Sequence, residues 1–148
     1  MKPADIVSLL GRLAVGGVLL YAGFSKALAP AAEFAAALDT YHLFPAAALT
    51  PIALVVPWFE IWTGLFLIAG LYTCWAAGCA AGLFTTFLAV LASAKMRHID
   101  LASCGCFGAE TLSPAVTVKL DAGLWVIALL LLFFHRRTRS LTLDSKCD

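Results

Sequence analysis

The chain has 148 residues, of which 62% are hydrophobic and 13% charged, with a formal net charge of +1 and a mean hydropathy of +0.94. Soluble domains contain roughly 45–50% apolar residues and about a quarter charged ones. A domain of this size cannot hide such an apolar excess in a core. The composition excludes a soluble globule, a disordered chain and a small secreted disulfide scaffold. No basic stripe suits nucleic-acid binding, so no nucleic acid is expected as a partner.

Four apolar segments, each about 20 residues long, are predicted to cross a membrane. They cover residues 6–26, 47–68, 71–94 and 115–134. Between Leu43 and Ala94 the only formally charged side chain is Glu60. The sequence therefore predicts an all-α protein, an integral membrane four-helix bundle that forms a single domain over residues 1–148. Its first partner is the lipid bilayer.

The connections between the predicted spans differ in length and polarity. Residues 31–43 lie between two prolines and are too polar to span, so we expect a short amphipathic helix on the membrane surface. Gly70 marks a very tight second connection. The third connection, Lys95–Pro114, is the longest polar stretch and contains Cys104-Gly105-Cys106.

The first span has features of a secretory signal peptide, including an apolar core followed by an Ala-Leu-Ala triplet. Arg12 and Lys26 argue against cleavage, because Arg12 lengthens the charged leader and Lys26 lies where a neutral cleavage region belongs. Removal would also leave three spans and an isolated surface helix. We therefore interpret the segment as a retained span.

The distribution of basic residues predicts the orientation. Four spans place both termini on one side of the membrane. That side carries Lys2, Arg12, Arg136, Arg137, Arg139 and Lys146, against Lys26, Lys95, Arg97 and Lys119 on the other side. The positive-inside rule then predicts cytoplasmic termini, with a cytoplasmic tail over 135–148. The first and third connections would face an oxidising compartment.

Cys104 and Cys106 are the strongest candidates for chemistry. A disulfide between cysteines one residue apart lies at the edge of allowed geometry, so it is strained and easily reduced. Arg97 precedes the pair, and Lys26 is expected to emerge at the same membrane face; such positive charges lower a thiol pKa. The pair is interpreted as an exchangeable disulfide supported by Lys26 and Arg97. A structural staple and an incomplete metal site with His98 stay open, since metal sites usually need about four ligands.

The other cysteines are less informative. Cys74 and Cys79 lie on the third predicted span about 140° apart around the helix, so they cannot form a disulfide with each other. Both are interpreted as small buried apolar residues. Cys147, in the tail, is interpreted as incidental.

Charged residues inside the predicted spans form a second candidate site. Glu60 lies about 13 residues into the second span, and carboxylates at such depth are usually paired or functional. Arg12 is predicted either to extend towards the cytoplasmic surface or to meet Glu60. The alternatives are an ion pair that holds the bundle together and a proton or quinone site. Three stripes of small and charged residues are predicted to face inward: Arg12, Gly16, Gly23 and Lys26; Glu60 and Gly64; Cys74, Gly78, Gly82 and Thr85.

The pattern resembles the methylamine-utilisation MauE group of DoxX-like four-helix membrane proteins. The matching residues extend over nearly the whole chain and include Arg12, Tyr21–Lys26, Pro30, Tyr41, Pro57–Glu60, Arg97 and Cys104–Gly108. The last string is the specific one. The tail beyond His135 and the pair Cys74 and Cys79 lie outside the resemblance.

The resemblance implies a bacterial inner-membrane protein linked to thiol–disulfide chemistry. The founding member is required for maturation of methylamine dehydrogenase, whose small subunit is rich in disulfides, and works beside a thioredoxin-like periplasmic partner. Other DoxX-like proteins are associated with quinone-linked sulfur oxidation or redox defence. The leading hypothesis is a thiol–disulfide oxidoreductase in which Cys104 and Cys106 exchange with such a partner, with a quinone near Glu60 as candidate cofactor. A non-catalytic assembly scaffold and a heavy-metal-handling protein, with Cys74 deeper on the metal path, stay open.

Overall fold

A computed structural model describes residues 3–97 and 114–134 of the chain. These residues form five α-helices and no strand. The helices are α1 (Pro3–Leu28), α2 (Ala31–Asp39), α3 (Ala46–Ala69), α4 (Thr73–Met96) and α5 (Pro114–Phe134). All except α2 contain a segment long and apolar enough to cross a membrane: Asp5–Leu28, Ala46–Ala69, Thr73–Met96 and Val116–Phe133. The predicted all-α fold and its four spans are confirmed, and the protein fits a multi-pass membrane protein.

The helices pack as an antiparallel bundle with two distinct ends. The start of α1, the α3–α4 turn and the end of α5 lie at one end, here called the terminal end. The ends of α1 and α4 and the starts of α3 and α5 lie at the other, here called the connection end. Large apolar side chains on the outside, such as Val7, Trp75 and Phe133, are 70–74% exposed. A lipid bilayer is the solvent that suits such a surface.

The surface helix α2 is shorter than predicted. It ends at Asp39, and the next residues form a tight turn in which the His42 N–H donates to the Asp39 carbonyl at 2.9 Å. Tyr41 follows the helix and is 4% exposed because it packs against Leu91 and Ala94 of α4. Tyr41 therefore anchors the end of the segment to α4.

Helices α1 and α3 touch backbone to backbone. A Cβ added to Gly16 would lie 2.8 Å from the Gly64 carbonyl oxygen, and one added to Gly23 would lie 2.8 Å from the Pro57 carbonyl oxygen. Small residues permit such close approach in membranes. The two contacts fix an antiparallel register, and they confirm the first two predicted stripes. All six residues of those stripes are buried: Arg12, Gly16, Gly23, Lys26, Glu60 and Gly64.

Helices α4 and α5 meet through a different surface from the one predicted. The stripe of Cys74, Gly78, Gly82 and Thr85 is wrong, because Gly82 and Thr85 are exposed and the other two are only half-buried. The buried residues of α4 are Thr73, Ala76, Ala77, Ala80, Ala81, Phe84, Leu91 and Ala94. Alanines occur on several faces of this helix, so residue size alone did not identify the inward face.

The α3–α4 connection is as tight as predicted. Gly70 adopts a left-handed conformation with φ of +71°, which ends α3, and Tyr72 has a φ of +47° immediately before α4. Glycine reaches this region without a Cβ clash. The turn holds α3 and α4 as antiparallel neighbours at the terminal end.

Candidate functional site

A buried ion pair between Lys26 and Glu60 lies in the interior of the bundle. The Lys26 ammonium donates to both carboxylate oxygens of Glu60, at 2.9 Å to Oε1 and 2.8 Å to Oε2. The two side chains are 1% and 0% exposed. The ammonium also lies 5.7 Å from the Phe34 ring centroid and 5.4 Å from that of Phe87. Paired, hydrogen-bonded and flanked by two aromatic rings, this cation has replaced most of its hydration shell.

The direction of side chains along a helix explains why Lys26 and not Arg12 meets Glu60. The α1–α3 register places Glu60 level with about residue 20 of α1. That level is about 9 Å from Lys26 and about 12 Å from Arg12 along the helix axis. Helical side chains point back towards the N-terminus. Lys26 therefore extends towards Glu60, whereas Arg12 extends away from it.

Arg12 binds the end of α3. Its Nε donates to the Leu67 carbonyl at 2.9 Å and its Nη2 to the Ile68 carbonyl at 3.5 Å. These carbonyls lie in the last turn of α3, where cations interact favourably with the helix dipole. Of the two predicted alternatives for Arg12, the contact with Glu60 is wrong, and the side chain extends towards the terminal end but stays buried, at 2% exposed. The expectation that Lys26 emerges at the membrane face is also wrong, because the residue is 4% exposed.

Asp121 of α5 is a third buried charged residue near this pair, and sequence reasoning missed it. Its side chain is 1% exposed, and Oδ2 has no hydrogen-bond partner among the described residues. Asp121 interacts electrostatically with both Lys26 and Glu60. The sequence placed it at the entrance of the fourth span, next to Lys119, so it was not considered an interior residue.

The sequence did contain a signal for Asp121. The buried residues of α5 follow one another at intervals of four and three: Thr117, Asp121, Leu124, Ala128 and Leu131. This is the period of one helix face. A carboxylate within such a stripe faces the bundle interior, whereas the neighbouring Lys119 is exposed.

The cysteine motif lies outside the described residues. The connection that contains Cys104 and Cys106 leaves α4 at the connection end, where Arg97 Nη1 donates to the Tyr41 carbonyl at 2.9 Å. This bond ties the start of the connection to the turn after α2. Whether Lys26 and Arg97 lower the pKa of the two thiols stays a prediction.

The two cysteines of α4 differ from each other. Cys79 is a free, half-buried thiol, as the sequence suggested. Cys74 is disulfide-bonded, and its partner lies outside the described residues. The interpretation of Cys74 as a simple apolar residue is therefore wrong. Cys74 lies in the first turn of α4, at the terminal end.

Neither of two apolar cavities suits a quinone that would act on Cys104 and Cys106. A groove of about 440 Å³ between α3 and α4 is lined by aromatic residues such as Trp62, Tyr72 and Trp75, together with Cys79. Its volume suits a ligand. However, Cys79 in this groove lies about 27 Å along α4 from Arg97, where the connection with the cysteine motif begins. A cavity under α2 lies at the right end but measures only about 70 Å³. A quinone near Glu60 that contacts the cysteine motif therefore stays a prediction.

Metal binding finds no support in the described parts of the chain. They contain no group of three or more histidine, cysteine, aspartate or glutamate side chains that could hold a metal ion. The heavy-metal alternative would therefore depend on residues 98–113 and the two termini.

Comparison with known proteins identifies the family. No curated protein and no solved structure gives a significant match to the chain. The family model described as methylamine utilisation protein MauE matches residues 4–135, which include all four spans, the buried charges and the cysteine motif. The chain belongs to the MauE family.

Proposed function

We propose that this protein is a membrane thiol–disulfide exchange component whose Cys104 and Cys106 react with a periplasmic thioredoxin-like protein. The observation that carries the proposal is the family match, which extends across the Cys104-Gly105-Cys106 motif. The process served is disulfide maturation of periplasmic proteins, and the family description names methylamine utilisation as the setting of the family. The motif supplies the reactive pair, and the four spans hold it at the membrane.

The exchange conserves bonds and electrons between the two proteins and needs no further cofactor. A thiolate of the reduced partner attacks one sulfur of the Cys104–Cys106 disulfide, forms a mixed disulfide and releases the other cysteine as a thiolate. The second thiolate of the partner then attacks the mixed disulfide. The partner leaves with a disulfide, and Cys104 and Cys106 hold the two electrons as a dithiol. Strain in a disulfide one residue apart favours this direction.

Residues at the connection end support the proposed role. The Arg97–Tyr41 hydrogen bond fixes the point where the motif-bearing connection begins, close to the surface helix α2. A fixed starting point lowers the entropy cost of docking a partner at this end. The excess of basic residues on the side of the termini supports placing this end in the periplasm of the bacterial inner membrane, with the termini in the cytoplasm. The Cys74 disulfide at the terminal end opposes this orientation, because disulfides are rare in the cytoplasm.

Thiol trapping in intact cells tests the orientation. A membrane-impermeant maleimide polymer is applied before and after mild reduction to wild type, Cys104→Ser/Cys106→Ser and Cys74→Ser. Disulfides are common on the oxidising side of the membrane and rare on the reducing side. Labelling that appears after reduction and disappears in Cys104→Ser/Cys106→Ser supports the proposal. Labelling that still requires reduction in Cys104→Ser/Cys106→Ser, but appears without reduction in Cys74→Ser because the partner thiol is freed, puts the terminal end outside and overturns it.

Exchange itself is measured with purified protein in lipid nanodiscs and reduced thioredoxin as the probe. The expected result is about one thioredoxin oxidised per chain, none with Cys104→Ser/Cys106→Ser, and an unchanged yield with Cys79→Ser. If the double variant oxidises as much thioredoxin as wild type, the exchange mechanism is wrong. If neither protein reacts but both support partner maturation in cells, the protein is a scaffold.

A further inference from the structure

The buried charge cluster of Lys26, Glu60 and Asp121 contains one basic and two acidic groups. Lys26 comes from α1, Glu60 from α3 and Asp121 from α5. The side chains that α2 and α4 present to the Lys26 ammonium are the phenylalanine rings at 5.7 Å and 5.4 Å. Two hydrogen bonds pair Lys26 with Glu60, so the charges of these two side chains neutralise each other. If both carboxyl groups were ionised, the cluster would carry one uncompensated negative charge inside the membrane.

The helix registers place both carboxyl groups at one depth. Gly11 of α1 lies against Ile127 and Leu131 of α5, which sets Asp121 level with about residue 19 of α1. Glu60 is level with about residue 20 by the α1–α3 register. Lys26 extends to the same level from the connection end. The three groups therefore form one site, consistent with their mutual electrostatic interaction.

We propose that this cluster is a one-proton site, in which Asp121 carries the exchangeable proton. The unpartnered Oδ2 of Asp121 is the second observation that supports it. An isolated carboxylate in an apolar interior is costly and becomes neutral when no counter-ion is available. A proton on Asp121 leaves the cluster electrically neutral. It also turns Asp121 into a hydrogen-bond donor, which the ionised group is not.

A metal cation fits the site less well than a proton does. Magnesium and calcium require six or more oxygen ligands. The cluster offers two carboxyl groups, and Glu60 already accepts both hydrogen bonds from Lys26. The Lys26 ammonium also occupies the position where a cation would bind Glu60.

The site is closest to the connection end. Asp121 lies about 10 Å along α5 from Pro114, and Lys26 is in the last turn of α1. Protons would therefore exchange at the end that bears the cysteine motif. The inference does not rest on thiol–disulfide exchange, because it follows from charge, burial and register alone.

Infrared spectroscopy of the protein in lipid nanodiscs tests the proposal. A protonated carboxylic acid has a C=O stretch that is separate from the carboxylate bands and shifts in D₂O. Wild type labelled with ¹³C at the aspartate carboxyl group should show this band, shifted by the label. Because the label assigns the band to aspartate in the wild-type protein, the measurement does not require any variant to fold.

Variants then assign the band to Asp121. We expect it to disappear in Asp121→Asn, to reappear in Asp121→Glu as an unlabelled band, and to persist in Asp39→Asn, which removes an exposed carboxyl group of α2. In Glu60→Gln, Lys26 has only Asp121 to neutralise, so the aspartate band should also disappear. An absent band in labelled wild type overturns the proposal. A band that persists in Asp121→Asn or in Glu60→Gln also overturns it. So does a band that is present in choline buffer and absent in sodium buffer, because the site would then bind a metal cation instead of a proton.

Discussion

The α1–α3 and α4–α5 contacts join antiparallel membrane helices through different chemistry. The α1–α3 contact has three glycines at backbone distance and three buried charged side chains. The α4–α5 contact has a face of alanines and a neutral hydrogen bond from Trp125 Nε1 to Thr85 Oγ1 at 2.9 Å. Burial of apolar surface does not drive helix association within lipid. The difference suggests that the first contact carries most of the specificity of the fold, and four substitutions test this.

The largest effect is expected for Lys26→Met. Removal of the ammonium leaves Glu60 buried without its counter-ion, and breaking a buried pair in this way costs about 3–5 kcal/mol. The free energy of unfolding is measured by denaturant titration in bicelles. Lys119→Met is the matched control, because Lys119 is exposed on α5. Equal losses in the two variants would contradict a structural role for the ion pair, and Lys26→Met/Glu60→Gln should recover much of the loss.

A smaller loss, about 2 kcal/mol, is expected for Arg12→Met. The variant loses charge-assisted hydrogen bonds to the Leu67 and Ile68 carbonyls, each worth roughly 1.5–3 kcal/mol where well formed. One of them is long at 3.5 Å, so the total stays near the lower limit. Arg12→Lys keeps the charge but not the planar donor group, so its free energy of unfolding should fall between those of wild type and Arg12→Met. A loss as large as that of Lys26→Met would show that Arg12 has a comparable ionic role.

Gly16→Ala tests the close approach of α1 and α3. The added Cβ would lie 2.8 Å from the Gly64 carbonyl oxygen, which cannot move without shifting the helix. Overpacking of this kind costs about 1–3 kcal/mol. Gly17→Ala is the control on the neighbouring face, where nothing lies within 4 Å, and it should be neutral or slightly stabilising. Thermal unfolding of the two variants side by side measures the difference, and equal melting temperatures would contradict the register.

The smallest effect is expected at the α4–α5 contact. Thr85→Val removes the acceptor for Trp125 Nε1, a loss of about 0.5–1.5 kcal/mol. Thr86→Val is the matched control, since Thr86 bonds only the Gly82 carbonyl of its own helix, at 2.9 Å. Trp125 fluorescence, measured in a variant background without the other tryptophans, should shift in Thr85→Val and not in Thr86→Val. A Thr85→Val loss larger than that of Gly16→Ala would reverse the comparison.

The sequence was sufficient for the architecture because hydropathy and length determine membrane spans directly. It also identified the inward stripes of α1 and α3, where charges and glycines interrupt apolar sequence at helical spacing. It did not identify the partner of Lys26. That pairing depends on the axial register of α1 against α3, which the backbone contacts at Gly16 and Gly23 set.

Two other failures have equally specific causes. Asp121 was overlooked because it lies near the start of the fourth predicted span, two residues after Lys119, which was counted among the basic residues of the connection side. The inward face of α4 was misassigned because alanine and glycine are both small and alanines lie on several faces. The cysteine motif, which the sequence made the most prominent candidate, lies outside the described residues. Its chemistry therefore remains a proposal supported by the family.

The separation in sequence between the buried cations and their partners has a consequence for biogenesis. Lys26 pairs with a residue 34 positions later, and Arg12 with one 55 positions later. The ribosome therefore delivers α1 to the insertion machinery before Glu60 and the α3 carbonyls that bind these two cations have been made. Lysine and arginine carry an insertion penalty of roughly 2.5–3.5 kcal/mol at the centre of a span and a smaller one towards its ends, where Lys26 lies. Stable insertion of α1 should therefore wait for α3, so that the two helices enter the bilayer as a hairpin and a truncated chain ending before Glu60 inserts poorly.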